Sequence, residues 1–145
     1  MSDRTEKYRE KYLKALQPHV AHPIRAVGAF SRPGSLARAG LMHVSPATAV
    51  TFEDRSSGLP RNVVMAVTDD AVHVFDFKPK GFNIKVKKEV ATWLRAGIVV
   101  TKGEGGVLAT RVAFNWSDGG HVELDSNIGG GGFNEELISL LAAGN

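Results

Sequence analysis

The 145-residue chain contains no cysteine. That absence removes disulfides, thiolate nucleophiles and zinc sites built on sulfur, and it fits a reducing compartment. Long apolar runs are also missing: residues 98–100 and similar stretches are far too short to span a bilayer. Residues 1–17 are dense in charges of both signs, with no apolar run ahead of a small-residue cleavage site, so a soluble cytoplasmic protein is the expectation.

Catalytic signatures are missing as well. Pro33-Gly34-Ser35-Leu36 lacks the second glycine of a nucleophile elbow. Gly103-Glu104-Gly105-Gly106 and the four glycines at 129–132 match neither a dinucleotide fingerprint nor a P-loop. The second cluster precedes a helical pattern, but Glu135 and Glu136 would repel an anion there, so it reads as a hinge. Asp69-Asp70 reads as a tight turn, since adjacent residues point apart and Asp bonds its own backbone; Glu53-Asp54 is a similar loop pair. His19 and His22 have ligand spacing only on a helix, which Pro18 and Pro23 oppose. His73 shares a strand side with Phe75 and Phe77 and reads as a packed or edge histidine. The expectation is no enzyme, no cofactor and no metal.

Hydrophobic residues make up 43% of the chain, enough for one core in one domain. The net charge of +3 is unevenly distributed: residues 1–102 carry +8 and residues 103–145 carry −5. Such asymmetry describes either differently solvated faces or a basic face for an anionic partner.

Residues 3–17 have Tyr8, Tyr12, Leu13 and Leu16 at helical spacing, with Ser2 or Asp3 as a cap and Pro18 as a stop. A strand is expected over 24–30. Residues 31–60 are irregular, with room for a short helix at 36–43 and a short strand at 49–52; such long segments often carry a binding role. Residues 63–68 and 72–77 form a hairpin about Asp69-Asp70. Lys78-Pro79-Lys80-Gly81 reads as a second turn. Residues 82–88 alternate most clearly, with Phe82, Ile84 and Val86 inward and Asn83, Lys85 and Lys87 outward. Residues 89–94 read as a connector, 96–101 as a strand, 102–106 as a loop, and 107–116 and 121–126 as the last two strands. Asn134 is expected to cap a helix over 135–142 whose inward residues are Leu137, Ile138, Leu140 and Leu141.

Seven strands followed by one amphipathic helix, together with Leu59-Pro60-Arg61-Asn62-Val63-Val64-Met65-Ala66-Val67-Thr68-Asp69-Asp70-Ala71-Val72-His73-Val74-Phe75, resemble the bacterial pleckstrin-homology-like (PH-like) domains. The resemblance covers residues 24–143. It implies an α+β, mainly β fold: a seven-stranded antiparallel barrel with a C-terminal capping helix, here preceded by an extra N-terminal helix. Residues 1–23 would be helix and connector, and 24–145 the PH-like domain.

The resemblance implies a non-catalytic binding or scaffolding module. In such domains the loops after the first and third strands share one open end, and lipid-binding members place basic residues there. The matching positions are Arg32, Arg38, Lys78 and Lys80, with Lys85 and Lys87 on the adjoining strand. The Lys/Arg-x-Arg lipid signature of those members is absent. Lysines on a hairpin also serve as a solvated face or protect an edge strand. The open partner classes are a protein or a second copy of the chain, and an anionic membrane surface or phosphate ligand. A small ligand or substrate inside the barrel is a further alternative. Nucleic acid is disfavoured, because Trp93 and Trp116 are not interleaved with the lysines.

Overall fold

The computed structural model describes residues 3–32, 59–80, 83–105, 109–116, 119–127 and 133–142. Helix α1 (Asp3–Leu16) leads through a 3-10 turn (Gln17–His19) into seven strands and a last helix. The strands are β1 (Ala26–Ser31), β2 (Asn62–Val67), β3 (Ala71–Lys80), β4 (Asn83–Leu94), β5 (Ile98–Gly105), β6 (Ala109–Trp116) and β7 (His121–Asn127); the helix is α2 (Phe133–Ala142). No described helix is long and apolar enough to cross a membrane.

All seven strands belong to one antiparallel sheet in the order β4-β3-β2-β1-β7-β6-β5. Among the described residues its two edges are therefore β4 and β5, which are consecutive in the chain and linked only by residues 95–97. Flat, a sheet of this size would hold its edges roughly 29 Å apart, whereas the step from Leu94 to Ile98 reaches at most about 14 Å. The sheet must curl enough to bring the end of β4 and the start of β5 within that reach, and no hydrogen-bonded ladder joins the two strands.

The curl gives the sheet a concave face that both halves share. Phe30, Val63, Met65, Val72 and Val74 from β1–β3 meet Ile98, Val112, Phe114, Val122 and Leu124 from β5–β7 in one cluster, completed by Leu137, Ile138 and Leu141 of α2. Trp93 and Trp116 meet edge-on at 5.1 Å near the 95–97 corner. On the outer side of the first half, Val27, Val64, Ala66, Phe75, Phe77 and Ile84 pack against Leu16 and Phe133, with Tyr8, Tyr12 and Leu13 of α1 half-buried over them. Strands β1 and β2 are thus buried on both faces, so residues 24–30 alternate only weakly in sequence.

The seam between β1 and β7 is narrow, with a single register pair, Ser31↔Asp125. Arg32 N–H donates to the Arg61 carbonyl, so by antiparallel alternation Ser31 and Ala29 turn their main-chain groups away from β2. Asn134 satisfies those of Ala29: its Oδ1 accepts from Ala29 N–H at 2.8 Å, and its Nδ2 donates to the Ala29 carbonyl at 2.8 Å and to Ser126 Oγ at 3.0 Å. Asn134 therefore does not act as the expected cap; it is the second residue of α2 and its side chain turns to β1. Gly28 permits the close approach, since a Cβ there would lie 2.7 Å from Phe30 Cε2 and 3.0 Å from Leu137 Cδ1.

Several expected boundaries are corrected. Lys78-Pro79-Lys80 continue β3 instead of turning, with Pro79 opposite Ile84. β2 begins only at Asn62, so β3 has no inner neighbour at that level and the missing N–H of Pro79 breaks no ladder. Residues 89–94 are not a connector but the second half of β4, and the register slips on either side of Phe75 are what break the sequence alternation. Residues 102–105 are strand, since β5 runs to Gly105. The short helix and strand expected at 36–43 and 49–52, and Phe82, lie outside the described residues.

Candidate anion-contact surface

The pairings of β1 through β4 align four cations. Ser31 faces Asn62, so Arg32 faces Arg61, whose carbonyl accepts the Arg32 N–H at 2.9 Å. Val63 faces Asp76, and the same register carried two residues outward sets Arg61 opposite Lys78. Lys78 in turn faces Lys85. Carried past the ends of β1 and β2, these registers would set Arg32, Arg61, Lys78 and Lys85 in one row, on the side of the sheet that carries Phe30 and Val63, just past the end of the core. The Arg32–Arg61 and Lys78–Lys85 neighbours are direct, and the Arg61–Lys78 step is the extension.

Neighbours in such a row have Cβ atoms roughly 5 Å apart, and like charges so placed oppose folding by a few tenths of a kcal/mol per pair. Arg61, Lys78 and Lys85 are exposed and Arg32 is half-buried. Among the described residues no carboxylate pairs with any of the four. Asp76 occupies the preceding row and forms no ion pair with them. The carboxylates of the acidic C-terminal segment whose side chains are described are already engaged: Glu136 by Arg9, Glu135 by Lys102, and Glu123 and Asp125 by Arg111.

Of the residues singled out by sequence, Arg32, Lys78 and Lys85 join the row. Lys80 lies two residues further along β3, opposite Asn83. Lys87 is exposed in the irregular stretch of β4 and stands outside the row. Arg38 lies outside the described residues. Arg61 was not among the expected residues: it lies two positions before Val63 and so shares its side, but the unbroken apolar run 63–67 does not show in sequence which side that is.

Other polar groups are tied into local structure. Asp69 receives both Arg25 Nε at 2.8 Å and Nη2 at 3.1 Å, and the hydrogen bond from Arg25 holds its carboxyl below the ordinary pKa. Thr68 closes the Asp69-Asp70 turn through its bonds with Ala71. The His19 ring packs 5.9 Å from that of Phe75. His73 Nδ1 lies 2.8 Å from Glu89 Oε2, which also accepts from the Thr92 hydroxyl. Burial pushes the Glu89 carboxyl up, but the hydrogen bonds from Thr92 and His73 and the charge of His73 outweigh it, leaving its pKa below the ordinary value. This His–Glu contact was not foreseen, because the β4 register shift that brings Glu89 near His73 leaves no mark in the sequence pattern. On the outer face of β6 and β7, Arg111 Nε donates to Asp125 Oδ1 at 2.6 Å, and Asp125 is only 1% exposed. Among the described residues no group of three His, Asp or Glu side chains could hold a metal ion. No family model, curated protein or solved structure matches the chain.

Proposed function

We propose that this chain is a non-catalytic binding module of the PH-like type, its curled sheet forming the barrel, and that Arg32, Arg61, Lys78 and Lys85 are its contact for an anionic partner. The observation that carries the proposal is the row itself: four like charges that the strand registers bring into line, at a cost to folding, with no carboxylate paired to them among the described residues. An anion laid along the row would remove the repulsion, and one with several charges would meet several cations at once.

Two further features support the reading. A C-terminal helix sharing the core of a seven-stranded antiparallel sheet is the arrangement that the PH-like resemblance implies. The segments after β1 and β3 leave the same end of the sheet, where lipid-binding members of that group carry their basic residues. The concave face is lined by apolar side chains such as Phe30, Met65, Phe114 and Leu124, which suits a packed interior better than a polar substrate pocket. The tryptophans lie at the opposite end from the cation row, which disfavours a nucleic-acid strand stacked beside it.

The test is a titration of the whole chain at low salt with vesicles containing phosphatidylserine and, separately, with soluble inorganic polyphosphate. Binding that weakens with added salt is expected, as is a loss of at least about tenfold in a Lys78→Glu/Lys85→Glu variant. Binding to vesicles alone identifies a membrane surface; binding to both identifies a phosphate-rich ligand. No binding to either probe, or equal binding by the variant, overturns the reading.

A further inference from the structure

Among the described residues, the two edges of the sheet are defended unequally. Strand β4 has register slips on both sides of Phe75 and exposed Lys85, Lys87 and Lys88 along its length. Irregularity and lysine are the usual means of keeping an edge from pairing with another chain. Strand β5 has neither over its first half. Its register with β6 is unbroken from Ile98↔Trp116 to Lys102↔Val112, and Ile98-Val99-Val100-Thr101 is uncharged, free of proline and rich in β-branched residues. The first charge on the strand, Lys102, is held by Glu135 of α2 at 3.1 Å.

A second, separate observation falls at the same place. Only two large apolar side chains are exposed among the described residues, Leu94 at 74% and Val99 at 47%. Leu94 ends β4 and Val99 is the second residue of β5, so both flank the 95–97 corner. Neither is needed there to fill the core, which takes Ile98 and Val100 from the other side of β5.

We propose that β5 is an interface for a second copy of this chain, pairing antiparallel with its counterpart about a two-fold axis and continuing the sheet across both subunits. Charge selects the occupant. The chain carries a net +3, and two copies meeting through β4 would set lysine against lysine. At β5 the facing residues are neutral and the single cation is already compensated, so identical strands approach without repulsion. A two-fold contact uses the same patch twice, which suits a short self-complementary strand. The inference does not depend on the anion-contact reading, because the cation row and β5 share no residue.

Sedimentation equilibrium of the full chain, over a range of concentrations, tests it. The expected result is a reversible dimer of twice the 15.6 kDa chain mass. Val99→Lys/Thr101→Lys sets two cations on exposed positions of each copy and should give monomer, with far-UV circular dichroism and thermal unfolding retained. Hydrogen exchange at 98–101 should slow as concentration rises in the parent chain and not in the variant. A parent chain that stays monomeric throughout overturns the proposal, as does a folded variant that remains dimeric. Should the double variant lose its fold, Val99→Thr, which removes only the exposed apolar surface, must still weaken the dimer for the proposal to stand.

Discussion

Asn134 holds the main chain of Ala29 by both its N–H and its carbonyl, each at 2.8 Å, across 105 residues of sequence. A neighbouring strand would normally supply this pair of bonds. Here one side-chain amide supplies them, at the seam where β7 pairs with β1 only through Ser31↔Asp125. The first expected outcome follows from that substitution of partner. Asn134→Ala leaves the two Ala29 groups and Ser126 Oγ without their partner, which costs about 2–4 kcal/mol. Urea denaturation measures it, and a loss below about 1 kcal/mol would mean that the seam is held by other contacts.

Gly28 makes room for the same joint. Gly28→Ala sets a methyl 3.0 Å from Leu137 Cδ1 and 3.2 Å from Asn134 Oδ1, as well as against the Phe30 ring. Displacing α2 to relieve this costs about 1–3 kcal/mol. Thermal unfolding should show the drop, and Gly28→Ala combined with Asn134→Ala should cost less than the two separately, because they disturb one contact.

The cation row predicts stability and binding moving in opposite directions. Lys78→Glu replaces repulsion from Arg61 and Lys85 with attraction, a gain of about 0.5 kcal/mol. The same substitution weakens the contact with anionic vesicles or polyphosphate. A variant that loses stability as well would show that Lys78 serves the fold instead.

Much of this fold is legible in the sequence where alternation is undisturbed. The hairpin about Asp69-Asp70 and the inward set of Leu137, Ile138 and Leu141 follow from spacing. Legibility fails where a register slip intervenes: β4 reads as a strand and a connector because its slips move Glu89 and Val90 out of phase. It fails again at Pro79, whose placement in β3 depends on where a different strand begins. The cation row is half-visible in the same way. Lys78 and Lys85 are conspicuous as local neighbours, but Arg61 joins them only when the β2–β3 register is carried past Val63↔Asp76.

Acid sensitivity should centre in part on Glu89. Its folded pKa lies below the ordinary glutamate value, so its contribution is complete above the unfolded value of about 4.3 and is lost as pH falls from there through the folded value. Glu89→Gln retains an acceptor for Thr92 and His73 but cannot ionise, and its stability should vary less with pH below about 4.5. Denaturation midpoints measured from pH 3 to pH 7 provide the check. An acid limb equally steep in the variant would place the titrating group elsewhere.

The narrow seam also bears on how the chain reaches this state. Strands β2 to β4 and β5 to β7 each form a meander of neighbours in sequence, able to assemble through short loop closures. Joining β1 to β7 and docking α2 instead brings together segments from near opposite ends of the chain, with one strand pair and one side-chain amide to fasten them. Such long-range closure is expected to come late in assembly, with the Asn134 bonds forming after the transition state. Loss of the amide should therefore speed unfolding and leave refolding nearly unchanged.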